Sequence, residues 1–119
     1  MNITSFNPLI LSKDAKDIVR LFEEMGFEKR HNKTGADFSS NRMRHEGGFH
    51  VDVVEAATPQ DITTIRMNVS DFDEAYNMLA ARGFKGTEGS EGRDTGTSRS
   101  AMMISPTGFS ITIVKHIKK

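Results

Sequence analysis

The residues whose types and spacing are best suited to catalysis are His50 and Asp52, which are two positions apart in the sequence. Side chains at i and i+2 of a β-strand point to the same side, so the imidazole and the carboxylate are expected to be neighbours. A carboxylate in that position can orient an imidazole as a general base. No nucleophile is identifiable beside the pair, which favours a ligand-contacting or solvated pair over a catalytic one. Any catalytic residue stays unknown.

Arginines add charge to this candidate site. Arg66, in the second half of the chain, either pairs with Asp52 or holds a substrate carboxylate, and structural pairing is the favoured interpretation. Arg42 and Arg44 alternate along one predicted strand, either as a basic rim or as charges that keep an edge strand from pairing with other chains. The chain has no cysteine, which excludes thiolate metal ligands, disulfides and cysteine nucleophiles.

Composition narrows the classes of partner. The 119 residues contain 16 Lys plus Arg and 16 Asp plus Glu, so no net charge attracts nucleic acid or an anionic membrane. The apolar runs are far shorter than the roughly 20 residues that cross a bilayer, and the start of the chain has no signal-peptide pattern. We expect one globular, cytoplasmic domain whose partner is a small molecule, with no nucleic-acid or membrane partner.

An internal repeat organises the elements that position these residues. Residues 7–27 match residues 64–84 at an offset of 57, and residues 48–54 match residues 108–114 at an offset of 60. A repeat of this kind predicts a tandem duplication of one supersecondary unit. The predicted boundaries within the single domain 1–119 are 1–57 for module one and 62–119 for module two, with a linker between them.

Each half has the pattern β-α-β-β-β. Asp14 and Asp71 occupy positions typical of helix N-caps, and Gly26 and Gly83 occupy positions typical of a glycine that ends a helix. Between them, apolar residues recur at helical spacing for about three turns. Period-two alternation predicts strands over 6–12, 27–32, 37–45, 49–55, 63–69, 84–88, 99–105 and 109–116. The polar, glycine-rich segment 86–98 is predicted to be a surface loop, and the sequence leaves open whether it is a lid.

Strand alternation separates a helix-packing face from a mixed face. Val51 and Val53, for example, fall on the apolar side of their strand, while His50 and Asp52 fall on the other. A mixed face of polar and aliphatic groups is typical of a small-molecule cleft. The candidate ligand-binding residues on it are Asn7, Leu9, Leu11, His50, Asp52, Val54, Thr64, Arg66 and Thr112. The aliphatic members would supply contact area and the polar members would orient the ligand.

The doubled spacing from aspartate to Gly-Phe, and the Ser105-Pro-Thr-Gly-Phe turn before the last strand, resemble the vicinal oxygen chelate superfamily. That group includes glyoxalase I, extradiol dioxygenases, fosfomycin-resistance thiol transferases and bleomycin-resistance binding proteins. The resemblance covers nearly the whole chain. It implies an α+β fold in which two tandem β-α-β-β-β modules form a curled mixed sheet, with helices outside and a cleft inside.

The resemblance also implies where a metal would bind. Metal enzymes of the superfamily carry His or Gln near the start of the first strand of each half, and Glu or His in the last strand. The matching positions here are Asn7, Thr64, Asp52 and Thr112. Only Asp52 among them is an anionic ligand, so the metal-ligand positions are not retained and we expect no metal and no other cofactor.

Without these ligands the resemblance implies the metal-free branch, whose members are similar to the bleomycin-resistance proteins. We therefore expect a homodimer that binds a small organic molecule in the sheet cleft without a metal. The alternative is a metal-dependent lyase, isomerase or dioxygenase acting on a small oxygenated metabolite. The sequence does not decide whether the protein is an enzyme, although it favours a binding protein; an enzyme would be a glyoxalase-like lyase.

Overall fold

The computed structural model describes residues 1–34, 39–86, 93–94 and 98–116. It confirms the predicted α+β class. The first half comprises β1 (Ile3–Ser12), α1 (Ala15–Glu24), β2 (Phe27–Thr34), β3 (Ser39–His45) and β4 (His50–Glu55). The second half comprises β5 (Ile62–Val69), α2 (Phe72–Ala80), β6 (Lys85–Gly86), β7 (Arg93–Asp94), β8 (Ser98–Ile104) and β9 (Ser110–His116). No helix in the described ranges is long and apolar enough to span a membrane.

The segment 86–98 differs in part from the predicted loop. Arg93 and Asp94 form the short strand β7, which pairs antiparallel with β8. Backbone pairing within a polar segment gives no apolar alternation, so the sequence pattern could not indicate it. Residues 87–92 and 95–97 lie outside the described residues, as do residues 37–38 of a predicted strand.

The chain divides into two compact units. The first unit is Asn7–Thr63, and the second unit is Met1–Phe6 together with Thr64–Lys119. The first unit has the strand order β2-β3-β4-β1, with β1 and β4 parallel and the other pairs antiparallel. In the second unit, β5 lies between the start of β1 and β9, followed by β8 and β6; β5 and β9 are parallel. The sheet of each unit is therefore mixed, as predicted.

Each unit packs its helix on one face of its own sheet. In the first unit the buried core is Ala15, Val19, Met43, Val51 and Val53, and in the second it is Met67, Val69, Phe72, Ala75, Phe84, Ala101, Met103 and Ile113. The apolar residues at helical spacing before Gly26 are Ile18, Leu21, Phe22 and Met25. The prediction that they form one core-facing stripe is partly wrong, because Leu21 is 52% and Met25 is 51% exposed. The buried face of α1 is centred on Ala15 and Val19, and Leu21, two residues after Val19, projects away from that face.

The two helices begin at the predicted aspartates, but the two side chains behave differently. The Asp71 carboxylate accepts a hydrogen bond from the Glu74 backbone N–H at 3.0 Å. Asp14 makes no such bond at the start of α1. A hydrogen bond with the Asp17 carboxyl, and the negative charge of that group, raise the pKa of Asp14 above its ordinary value. Only Asp71 is a helix cap in the strict sense.

This contrast predicts opposite results for one substitution at two equivalent positions. Asp71→Ala should lower the free energy of unfolding by about 1 kcal/mol, because a helix N–H loses its acceptor. Asp14→Ala should not do so at neutral pH. A raised folded-state pKa means that Asp14 stabilises the fold below its ordinary pKa and that this stabilisation is lost as the pH rises through the folded pKa. Denaturant unfolding of both variants at acid and neutral pH checks the prediction; a loss at Asp14 equal to that at Asp71 at neutral pH would contradict it.

Candidate functional site

The helix-free face of the first unit is built from three neighbouring strands. β4 lies between β1 and β3, and the pairing places side chains in rows across the three strands. Paired residues lie on the same face of a sheet. The rows are Arg44 with His50, then Arg42 with Asp52 and Leu9, then Ser40 with Val54 and Leu11. Val51 and Val53 lie on the opposite face, in the helix-packed core, as predicted.

Asp52 is the centre of this face. Asp52 as a whole residue is 1% exposed to solvent. The Asn7 amide donates a hydrogen bond from Nδ2 to Asp52 Oδ2 at 2.7 Å, and Arg42 donates from Nε to Oδ1 at 3.1 Å. A buried carboxylate is tolerated only when a cation and hydrogen-bond donors compensate its lost hydration, and both are present. The predicted Asn7 and Asp52 are therefore brought together.

Exposure around Asp52 follows a gradient. Asn7 and Leu9 are buried with it, whereas Leu11, His50 and Val54 are only half-buried. The first unit thus combines a buried floor, which a ligand could not reach without rearrangement, with half-buried aliphatic and polar side chains beside it. All six residues predicted for this half share one face. The structure distinguishes them by burial.

Arg42 is the residue whose role the sequence left undecided. It is central to the face, because its guanidinium forms an ion pair with Asp52. A signal for this pairing exists in the sequence. The antiparallel pairs of β3 and β4 are symmetric about Gly47, so counting outward from the turn places residue 42 opposite residue 52.

The helix-free face of the second unit has a neutral pair, Thr64 and Thr112, where the first unit has the charged Asp52. Thr64 is buried, and its hydroxyl lies 3.1 Å from the Thr112 hydroxyl in a hydrogen bond. Arg66 lies opposite Thr112 in the register of β5 and β9. Asn68, two residues further along β5, is buried, and its Oδ1 has no hydrogen-bond partner in the part of the chain that the structure describes. The repeat makes the Thr64–Thr112 pair the counterpart of the Asn7–Asp52 pair.

These donor sets do not fit a transition-metal site. Of the two positions in the first unit that match metal ligands, Asn7 and Asp52, only Asp52 is a carboxylate, and both of its oxygens accept hydrogen bonds while Arg42 balances its charge. In the second unit the two threonines offer neutral hydroxyls that bond each other. Sites for Zn, Ni or Fe use imidazole, carboxylate or thiolate ligands. Within the described ranges no three His, Cys, Asp or Glu residues are grouped as metal ligands. The expected lack of a metal stays a prediction.

A cavity of about 160 Å³ lies in the first unit where β2 begins and β3 ends, and it shares Arg44 with the helix-free face. Its lining comprises Gly26, Glu28, Arg30, Arg44, His45 and Glu46. The His45 ring stacks on Phe49 with centroids 4.6 Å apart, and its Nδ1 accepts from the Gly47 backbone N–H. The lining charges have mixed sign, which gives the cavity no clear preference for a charged ligand.

Likeness to known proteins is found in structure and not in sequence. No protein-family model matches the chain, and no curated protein matches it significantly. A member of the glyoxalase/bleomycin resistance protein/dioxygenase superfamily from Vibrio splendidus 12B01 matches with a TM-score of 0.61 at 13% identity, over 96% of this chain and 99% of that one. The chain has the vicinal oxygen chelate fold. The predicted resemblance is thereby confirmed.

Other structures with this fold include methylmalonyl-CoA epimerases. The enzyme from Mycobacterium tuberculosis matches with a TM-score of 0.67 at 15% identity, over 98% of this chain and 90% of that one. A Streptomyces coelicolor variant in complex with 2-nitronate-propionyl-CoA matches with a TM-score of 0.66 at 15% identity, over 98% and 100%. At these identities the vicinal oxygen chelate fold is what the likeness shows. The homodimer and the cytoplasmic location stay predictions.

Proposed function

We propose that this protein binds a small organic molecule, without a metal, on the helix-free face of its first unit. The observation that carries the proposal is the ion pair between the buried Asp52 and the partly exposed Arg42, beside half-buried aliphatic side chains. Binding sites for small molecules combine a mostly apolar lining with a few placed polar groups. Leu11 and Val54 supply the apolar part here, and His50 and Arg42 supply the polar part.

The burial of Asp52 argues against a plain solvated sheet face. A carboxylate on a solvated face keeps its hydration, whereas Asp52 has lost it and depends on Arg42 and Asn7. Replacing a buried ion pair by apolar residues of similar volume is often neutral or stabilising. Compared with an apolar replacement, an ion pair of this kind therefore adds little to the stability of the fold. A role in orienting a ligand gives a reason for its presence.

The metal-free part of the proposal rests on the donor chemistry. A divalent ion at Asp52 would stand beside the Arg42 guanidinium, a cation already in place at 3.1 Å, and would be repelled by it. The counterpart pair, Thr64 and Thr112, has no charge to offer. The structures of similar fold support a small-molecule partner, since one of them holds 2-nitronate-propionyl-CoA. The identity of that ligand does not carry over at 15% identity.

The test is a fragment screen monitored by the methyl NMR signals of the full chain after dialysis against a chelator. We expect bound fragments to shift the methyl signals of Leu11 and Val54, because these side chains are half-buried on the proposed face. Val51 and Val19 are the matched controls, since they lie in the helix-packed core on the opposite side. Binding that appears only after addition of Ni²⁺, Zn²⁺, Mn²⁺ or Fe²⁺, or shifts confined to residues away from this face, would overturn the proposal.

A further inference from the structure

We infer that the ligand of the first unit carries an anionic oxygen group, a carboxylate or a phosphate, and that the terminal amino groups of Arg42 bind it. The inference rests on the proposed function and names the chemical class of its ligand. It also reassigns Asp52 from ligand contact to support of Arg42. The inference is argued from the hydrogen-bond geometry of the Arg42 guanidinium.

Arg42 contacts Asp52 through the Nε edge of its guanidinium and not through its two terminal nitrogens. The donor is Nε, at 3.1 Å from Oδ1, and in the described part of the chain this is the one hydrogen bond that the Arg42 side chain donates. A guanidinium has five N–H donors in a rigid fork, so four donors on the two terminal nitrogens remain. That arrangement leaves the terminal nitrogens, whose geometry matches two oxygens of a carboxylate or phosphate, available to a ligand.

The exposure of the two side chains also supports ligand binding by Arg42. The Arg42 side chain is 32% exposed, whereas the Asp52 side chain is 2% exposed. A ligand arriving at this face therefore meets the cation and not the carboxylate. Asp52 fixes one side of the guanidinium, which reduces the conformational freedom that Arg42 would lose on binding an anion. Asn7 donates to the other oxygen of Asp52 and so holds the carboxylate in position.

The neighbouring rows define the rest of the ligand. Residues two apart in a strand are about 7 Å apart, so adjacent rows have this spacing. On one side of Arg42 lies the row of Arg44 and His50, with Glu28 of β2 opposite Arg44. On the other side lie Val54 and Leu11. An anionic group on Arg42 thus places an apolar body of about one ring over Val54 and Leu11.

The experiment compares matched anionic and neutral probes on the unaltered protein. The anions are phenylacetate, hexanoate and phenyl phosphate, and the neutral counterparts are phenylacetamide and hexanamide. We expect the carboxylates to bind at least about tenfold more tightly than the amides, because hydrogen bonds to charged groups are the stronger ones. They should also shift the Nε–H NMR signal of Arg42 together with the Val54 methyl signals. Tighter binding of phenyl phosphate than of phenylacetate would identify the anion as phosphate.

Arg42→Lys separates support of Asp52 from ligand binding. Lysine keeps a cation beside Asp52 but lacks the fork of terminal donors, so the ratio of carboxylate to amide affinity should fall toward one while the melting temperature changes little. Arg20→Lys, on the exposed side of α1, is the matched control and should leave the ratio unchanged. A ratio that Arg42→Lys leaves intact would overturn the assignment of Arg42.

The failures of the two proposals are distinguishable. If the amides shift the Leu11 and Val54 methyl signals as strongly as the carboxylates do, the anion inference is wrong and the proposed binding face stands. If neutral fragments shift these methyl signals and none of the three anions does, the inference is also wrong. If no probe and no fragment shifts them, both proposals fail.

Discussion

Replacing Arg42 with Met is expected to lower the free energy of unfolding by about 2 kcal/mol. The substitution keeps most of the apolar volume of the side chain and removes the cation that lies 3.1 Å from the buried Asp52 carboxylate. Removing one partner of a buried ion pair costs about 3–5 kcal/mol when the pair is fully buried. Asp52 would still accept a hydrogen bond from Asn7. The expected value is lower because the Arg42 side chain is 32% exposed, so water can replace part of what it supplies.

A double-mutant cycle measures the pair itself. Arg42→Met should cost at least about 1 kcal/mol less in the background of Asp52→Asn, where there is no carboxylate to neutralise. Arg44→Met is the matched control, because Arg44 is exposed on the same strand and makes no ion pair in the described residues. Urea unfolding of the four proteins and the control gives the comparison. Equal costs in both backgrounds would mean that the ion pair contributes nothing to stability.

The fold was largely predictable because its signals are local. The helix-starting aspartates, the glycines that follow each helix and the alternation of Val51 and Val53 with His50 and Asp52 depend on a few neighbouring residues. The tandem repeat then doubled the weight of every such signal. Features that depend on exact packing angles were less predictable. Leu21 has the right spacing for the core of α1 and is nevertheless exposed.

The sequence predicted which residues of the candidate site share a sheet face, but it did not predict which of their side chains contact one another. Strand alternation placed Asn7, Leu9 and Asp52 on one side, and the register of β1 and β4 brings them together. Which cation neutralises Asp52 depends on the pairing of β3 with β4, a contact between strands that alternation within one strand does not encode. For the same reason Arg42 stayed undecided between a rim and an edge charge. Hydrogen bonds such as that of Asn7 to Asp52 require the three-dimensional register.

Ile113→Ala is expected to have the largest effect on stability, a loss of about 3–4 kcal/mol. Ile113 is fully buried in β9 and lies opposite Met67 on β5 and Ala101 on β8, which are both in the core of the second unit. Truncating a buried isoleucine to alanine costs about 2–5 kcal/mol, and the cost rises with the volume of the cavity that remains. Ala101 has no side chain that could fill the space, although Met67 can relax partly into it.

The matched control for this prediction is Ile104→Ala in β8. It deletes the same atoms, but Ile104 is 37% exposed and lies at the end of its strand, opposite Ser110. The expected loss there is at most about 1 kcal/mol, because less apolar surface leaves water when the side chain folds. Denaturant unfolding measures both losses. If the m-value, the slope of the unfolding free energy against denaturant concentration, is unchanged, the difference between the two variants arises in the native core. Similar losses at both positions would show that β9 does not form the centre of this core, and would call into question the pairing of β9 between β5 and β8.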